Sequence, residues 1–211
     1  MLRNRVVTDI PTLVEFAEQC EPHVETPPTS RLLRGGLVRG FYHPLGGLVA
    51  GYIVNTGSTH FHAFDVVPST GPLTLAPGAE ELICEVSHLW LRSSLSSSDR
   101  RSFYEALTAD LTSCERPYLL VTSQLTAAHL LDSLEVRAVL YEGPIAGRPP
   151  HEVTRVAAVR TEEWIGAHCL PHIERPRTSV AEWLALTSDP LPSSSAAPSQ
   201  MSAPAAAAQH A

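Results

Sequence analysis

A glutamate and a histidine stand three residues apart inside an otherwise apolar or small run, Leu82–Leu91, which reads LICEVSHLWL. Aliphatic, aromatic and β-branched residues make this a strand, and the serine-rich stretch that follows ends it. A carboxylate buried mid-strand is costly unless it has a partner or a task. Desolvation raises its pKa, which suits it to take a proton from a nucleophile near neutral pH. Glu85 is therefore the first candidate base and His88 the second. In a regular strand residues three apart face opposite sides, so the two converge only if a bulge falls between them. The structural alternative for Glu85 is an acid paired with an arginine such as Arg39 or Arg137. For His88 it is a half-buried histidine with its hydrogen bonds satisfied.

Other chemistry is weaker. Cys84 and His88 share a face of a regular strand, as a thiol–imidazole pair would, but a mid-strand thiol is more often a small core residue. His60, His62 and Asp65 are ligand types at close spacing. On a strand the histidines share a face and Asp65 lies opposite, whereas zinc needs three or four convergent ligands, so no metal site is expected. Ser87 lacks the G-x-S-x-G elbow of a hydrolase. Neither a Walker loop nor a dinucleotide fingerprint occurs.

Around this strand the chain reads as follows. Thr8 or Asp9 caps a first helix, with Pro11 in its first turn and Leu13, Val14, Phe16 and Ala17 on one side. Glu21–Ser30 is a Pro-rich polar loop. Arg31–Tyr42 and Leu48–Asn55 are two strands joined by His43-Pro44-Leu45-Gly46-Gly47, a hairpin turn. Phe61–Val67 is a further strand and Ser69–Ala79 a connection. Asp99 caps a helix over Asp99–Leu111. Tyr118–Thr122 is a short buried strand, Thr126–Leu134 a helix, and Val136–Glu142 pairs antiparallel with Glu152–Val159. Trp164, Ile165, Trp183 and Leu184 pack a C-terminal segment on the body. The fold class is α+β, a mixed sheet with helices on its faces. The domain is expected over residues 1–186. Residues 187–211 are Ser-, Pro- and Ala-rich and cannot offset their ordering entropy, so they form a disordered tail.

Composition removes several function classes. The 211 residues carry a formal charge of -7, so nucleic acid is not an expected partner. The chain contains arginine but no lysine, which excludes Schiff-base chemistry through a lysine amine. The four cysteines form no CxxC pair and read as free thiols. No apolar run nears the roughly 20 residues that cross a bilayer, and the N-terminus lacks an apolar signal core; a cytoplasmic protein without a membrane span is expected.

The order of these elements resembles the GNAT acyltransferase plan over about residues 31–160. The resemblance is carried by the Gly46-Gly47 turn, GLVAGYIVN from Gly47, ICEVSHLWLR, YLLVTS, HLLDSLEVRAVLYEGPI and HEVTRVAAV. Glu85-Val86-Ser87-His88-Leu89 is most similar to the E-[IL]-S-R-[LF] strand of the autoinducer (acyl-homoserine-lactone) synthases and the long-chain N-acyl amino acid synthases. The resemblance implies a GNAT-like splayed sheet whose parting strands admit the pantetheine arm of acyl-CoA or an acyl-carrier protein, and a base that deprotonates a small-molecule amine. Glu85 and His88 would be catalytic. Leu89, Leu91, Arg92, Ser98, Arg100, Arg101 and Ser123 would bind the donor, with Arg92, Arg100 or Arg101 and serine hydroxyls holding a phosphate; the alternative for that segment is an ordinary capped helix start with solvated arginines. The apolar positions Leu89, Trp90, Leu91, Leu119 and Leu120 would line an acyl pocket or the core.

Three positions depart from the usual pattern. The segment Arg92–Arg101 has no glycine, unlike the loop that cradles CoA pyrophosphate, and matches the carrier-protein-using subset better. Leu131 stands where a general-acid tyrosine often falls. His88 replaces the arginine of the E-x-S-R strand. Two functions follow from the resemblance: an N-acyltransferase using acyl-carrier protein or acyl-CoA, or a catalytically degenerate GNAT-like module that binds a ligand or partner.

Overall fold

Leu48–Asn55 is a strand whose eight residues are all buried, which places it in the middle of a sheet covered on both faces. In a computed structural model, residues 2–24, 26–56, 61–68, 78–124 and 134–173 are described. Seven strands form one mixed sheet: β1 (Arg3–Val6), β2 (Leu37–Tyr42), β3 (Leu48–Asn55), β4 (Ile83–Leu91), β5 (Tyr118–Gln124), β6 (Val136–Pro144) and β7 (Val153–Arg160). Their order is β1-β2-β3-β4-β5-β7-β6. Only β4 and β5 run parallel; the other neighbours are antiparallel.

Helices cover both faces. On one side lie α1 (Ile10–Cys20) and α2 (Ser30–Gly35), whose Leu13, Phe16 and Leu32 pack with Val38, Ile53 and Trp90. Asp9 caps α1, accepting the Thr12 amide at 2.9 Å, as expected. Gly51 lets the helix approach, since a β-carbon there would stand 2.5 Å from the Phe16 ring. The short helix α3 (His62–Asp65) follows β3, with Phe61 and Ala63 packed near Leu120 and Val156. On the other side α4 (Ser97–Ser113) buries Phe103, Leu107 and Leu111 against Phe41, Tyr52 and Leu119. Next to it lie α5 (Thr161–His168) and α6 (Leu170–Ile173), with Trp164 and Ile165 packed on that cluster. A partly buried ion pair fastens α4 to the sheet: Asp110 receives Arg39 Nε at 2.6 Å and the Tyr52 hydroxyl at 2.7 Å.

Four expectations are corrected. Residues 30–35 are helical, not the start of a strand, because Thr29 caps the Leu32 amide at 3.2 Å; the strand begins at Leu37. Phe61–Val67 is not a strand but contains α3, for a reason that lies on β4 and is given below. The cap of α4 is Ser96, not Asp99: Ser96 Oγ accepts the Asp99 amide at 3.1 Å and donates to Asp99 Oδ2 at 2.6 Å, a reciprocal cap. The edge strand β1 was not expected; its four residues are all exposed and show no alternation. His60, Leu131, Trp183, Leu184, the rest of the 126–134 helix except Leu134, and the 187–211 tail fall outside the described residues. Among the described residues no helix is long and apolar enough to cross a membrane. All four cysteines are free thiols.

Candidate active site

Strands β4 and β5 pair at three positions only, Ile83 with Tyr118, Cys84 with Leu119 and Glu85 with Leu120. Beyond Glu85 they part. β4 continues beside β3 to Leu91, and β5 continues beside β7 to Gln124. The sheet is therefore splayed, and a cleft of about 640 Å³ opens where the ladder ends. Residues from both faces of the sheet line it, among them Glu85, Ser87 and His88 with Val86 and Leu89.

The required bulge is present. Gly51 pairs with Trp90, and two residues further along β3 Ile53 pairs with Ser87, three residues back along β4. The extra residue lies at the His88–Leu89 step, and His88 takes a left-handed φ of 51°. The bulge resets the alternation. Cys84, Val86 and Leu89 pack toward α4, whereas Trp90 packs toward α1. His88 turns to the same side as His62 of α3, with ring centroids 4.5 Å apart. Glu85 faces α3 as well, so the two candidate residues converge.

Glu85 is 2% exposed. Its Oε2 accepts the His62 amide and its Oε1 the Ala63 amide, both at 2.7 Å. These bonds start α3, which has no side-chain cap of its own. Burial pushes the Glu85 carboxyl up to about 7, the two amides and Asn55 restraining the rise. A carboxylate has about four lone-pair sites, so two bonds leave capacity for a proton. The arginine-paired alternative is corrected: Arg39 serves Asp110, and Arg137 pairs with Glu135 at 2.6 Å and Glu163 at 3.5 Å.

His88 is held at both ring nitrogens. Nε2 lies 3.0 Å from the Thr26 carbonyl, which can only accept, so Nε2 carries the proton. Burial, and secondarily the neighbouring His62, push its pKa down to about 4. The neutral ring thus has a bare Nδ1, which accepts the Ser87 hydroxyl at 3.0 Å. In this arrangement His88 pins the α1–α2 connection to the bulge. Cys84 lies on the opposite face from His88, and burial pushes its thiol up to about 12, so the thiol–imidazole pair does not form. His62 and Asp65 are on one helical turn, Nδ1 to Oδ2 3.8 Å, rather than on opposite sides of a strand. Among the described residues no group of three or more His, Cys, Asp or Glu is placed to hold a metal ion.

The remaining expected residues divide. Leu89, Leu119 and Leu120 line the cleft, whereas Trp90 stacks on His23 at 4.9 Å in the α1 cluster. Leu91 is half-buried against the α4 cluster. Arg92 donates to Gln19 Oε1 at 2.9 Å. Arg100 grips the carbonyls of Ser93 at 2.9 Å and Leu95 at 3.2 Å, and Arg101 pairs with Glu105 at 2.8 Å. Ser98 is in the first turn of α4, and Ser123 pairs with Arg155 on β7. Glu85, His88 and Leu89 line one cleft, whereas Ser98, Arg100 and Arg101 stay at the start of α4, Arg92 turns to α1, and Leu91 and Ser123 are not among the lining residues. Tyr104 and His172, stacked at 4.1 Å, also line the cleft. Sequence reasoning missed both, although Tyr104 neighbours the Phe103 stripe; nothing local marks His172.

No protein-family model matches the sequence, and no curated protein matches it. Solved structures do match in shape. The AHL synthase LasI superposes with a TM-score of 0.51 at 10% identity, covering 76% of this chain and 90% of that chain. TofI in an apo form gives 0.52 at 9% identity over 82% and 96%. FeeM, an N-acyl amino acid synthase from uncultured soil microbes, gives 0.52 at 13% identity over 78% and 94%. The splayed seven-stranded sheet of this chain thus has a GNAT-like fold, similar to those of the AHL synthase LasI and the N-acyl amino acid synthase FeeM.

Proposed function

We propose that this chain is an N-acyltransferase that moves an acyl group from a pantetheine thioester to the amino group of a small metabolite. The observation that carries the reading is the end of the β4–β5 ladder at Glu85, which puts a desolvated carboxyl at the mouth of a cleft between two strand edges. A pantetheine arm laid in that cleft would use strand hydrogen-bonding groups that the parting leaves without a ladder partner. The amine attacks the thioester carbon, a C–N bond forms and the C–S bond breaks. Glu85 takes the amine proton, directly or through one water, and the sulfur leaves as a thiolate, which is a weak enough base to need no strong acid. Leu89, Leu119 and Leu120 offer the acyl chain an apolar wall.

An acyl-carrier protein fits as donor better than CoA. Its arm carries one phosphate, whereas CoA carries a diphosphate and a ribose phosphate. Near the start of α4, Arg92, Arg100 and Arg101 are engaged by Gln19, by loop carbonyls and by Glu105, and the loop has no glycine. One observation favours the second reading, a non-catalytic binding module: both Glu85 oxygens and both His88 nitrogens already have partners. A thiol-release assay over acyl-carrier and acyl-CoA donors with a panel of amines separates the two. Turnover that drops by about 10²-fold or more in Glu85→Gln supports the enzyme, the scale expected for losing a general base. Ligand-induced stabilisation without thiol release supports the module.

A further inference from the structure

The reaction has one more proton to place than Glu85 can hold. An alkyl amine reaches the cleft at neutral pH as an ammonium ion and ends as an amide, so its nitrogen sheds two protons. One leaves before attack, to free the lone pair, and the other after the C–N bond has formed. The sulfur departs as a thiolate and takes one of the two up again from solution. Glu85 serves one step. His88 serves neither, since its Nε2–H is held by the Thr26 carbonyl and its Nδ1 by the Ser87 hydroxyl.

Four other histidines line the cleft: His23, His62, His168 and His172. His23 stacks on Trp90, His172 stacks on Tyr104, and His168 lies against Trp164. His62 is the one built into the Glu85 site. Its main-chain amide donates to Glu85 Oε2 at 2.7 Å, and its ring lies 4.5 Å from that of His88. Its side chain is 15% exposed, yet its Nδ1 is buried, 3.8 Å from Asp65 Oδ2. At that distance the attraction is electrostatic rather than a hydrogen bond. It favours the tautomer with its proton on Nδ1, and it stabilises the imidazolium that forms when Nε2, the nitrogen on the cleft side, takes a proton. Among the described residues, the titratable groups around His62 are Asp65 on its own helix and, from β4, Glu85 and His88.

Resting on the acyltransferase reading, we propose that His62, oriented by Asp65, is the base that takes the first proton from the acceptor's ammonium group. Glu85 takes the second, after attack. The proton on Nε2 then passes to solvent, which resets the ring for the next turnover. Asp65 is a positioning residue that acts only through the His62 ring.

The test uses the full-length protein, with octanoyl-pantetheine, octanoyl-CoA and octanoyl-acyl-carrier protein as donors. The acceptors are ethylamine, an ammonium ion at pH 7, and methoxyamine, which is neutral there and has no first proton to lose. His62→Gln keeps the main-chain amide that bonds Glu85. It should lower kcat/KM for ethylamine at pH 7 by about 10²-fold, and for methoxyamine by no more than about threefold. The ethylamine loss should shrink as pH rises to 9, where solution supplies more of the free amine. Asp65→Asn should give a smaller loss with the same two features. An equal loss with both acceptors, or no loss with either, would overturn the inference and leave the acyltransferase reading standing. No thiol release from the parent with these acceptors or the wider amine panel would overturn both. Nitrogen NMR of the imidazoles needs no turnover, and the His62 signals are those missing from His62→Gln. The expected neutral ring is protonated at Nδ1 and shifts toward the Nε2–H form in Asp65→Asn. A His62 ring protonated at Nε2 in the parent would overturn the inference.

Discussion

Glu85 should leave a signature in the pH dependence of stability. Its carboxyl ordinarily titrates at 4.5, and burial raises it to about 7 in the folded chain. At about 1.4 kcal/mol for each pH unit, that interval is worth about 3 kcal/mol. Between pH 4.5 and 7 the unfolded chain has released this proton while the folded chain keeps it. The unfolded state binds fewer protons there, so this group lowers stability as pH rises. Below 4.5 both states are protonated and the effect vanishes; above 7 it is complete. His88 works in the other direction. Its pKa falls from 6.5 to about 4, so between those values the unfolded state binds more protons and stability rises with pH. The two nearly offset each other in the whole protein, and the Glu85 contribution must be isolated by subtraction. Urea denaturation of the parent and of Glu85→Gln at several pH values from 4 to 8 does this, because His88 and the other groups are common to both. The parent should lose about 3 kcal/mol relative to the variant across the interval. A difference that stays flat, or that grows in the parent's favour as pH rises, would refute a desolvated Glu85.

Other consequences are independent. Asp110→Ala leaves the buried Tyr52 hydroxyl without its acceptor and the partly exposed Arg39 guanidinium without its partner, and should cost about 1–3 kcal/mol in denaturant unfolding. Both His88→Ala and His88→Gly lose the bond to Thr26, but only glycine accepts φ 51° without penalty, so His88→Gly should be the more stable of the two by about 1–2 kcal/mol in thermal melts. Burial pushes the Cys20 and Cys84 thiols up to about 12, so both should resist alkylation at pH 8 until the chain is unfolded, read by mass spectrometry.

How much of this was legible in the sequence depends on where each interaction originates. The strand β4, its buried acid and the buried strand β5 are local patterns of apolar residues, and they were found with boundaries within a residue or two. The element order was enough for the GNAT-like resemblance. The convergence of Glu85 and His88 was legible only as a condition. The bulge that meets it puts histidine, not glycine, in the left-handed position, so no turn residue marks it. The helix α3 was misread as a strand because its cap is the carboxylate of Glu85, more than twenty residues ahead. Residues 30–35 were misread for a local reason, a Thr29 cap outweighed by an apolar run. The cleft wall is completed by Tyr104 and His172, joined by a stacking contact between two helices that no spacing rule connects. Tertiary hydrogen bonds and stacking built these features, and one-dimensional patterns do not carry them.

The claim on which the rest depends is that a thioester arm lies between β4 and β5 where they separate. Hydrogen–deuterium exchange tests it, comparing the protein alone with the protein bound to a thioether analogue of acyl-pantetheine, which cannot transfer its acyl group. Slower exchange confined to the amides of Val86–Leu89 and Val121–Ser123 is the expected result. Unchanged exchange along both strands, or protection that appears only elsewhere, would contradict it.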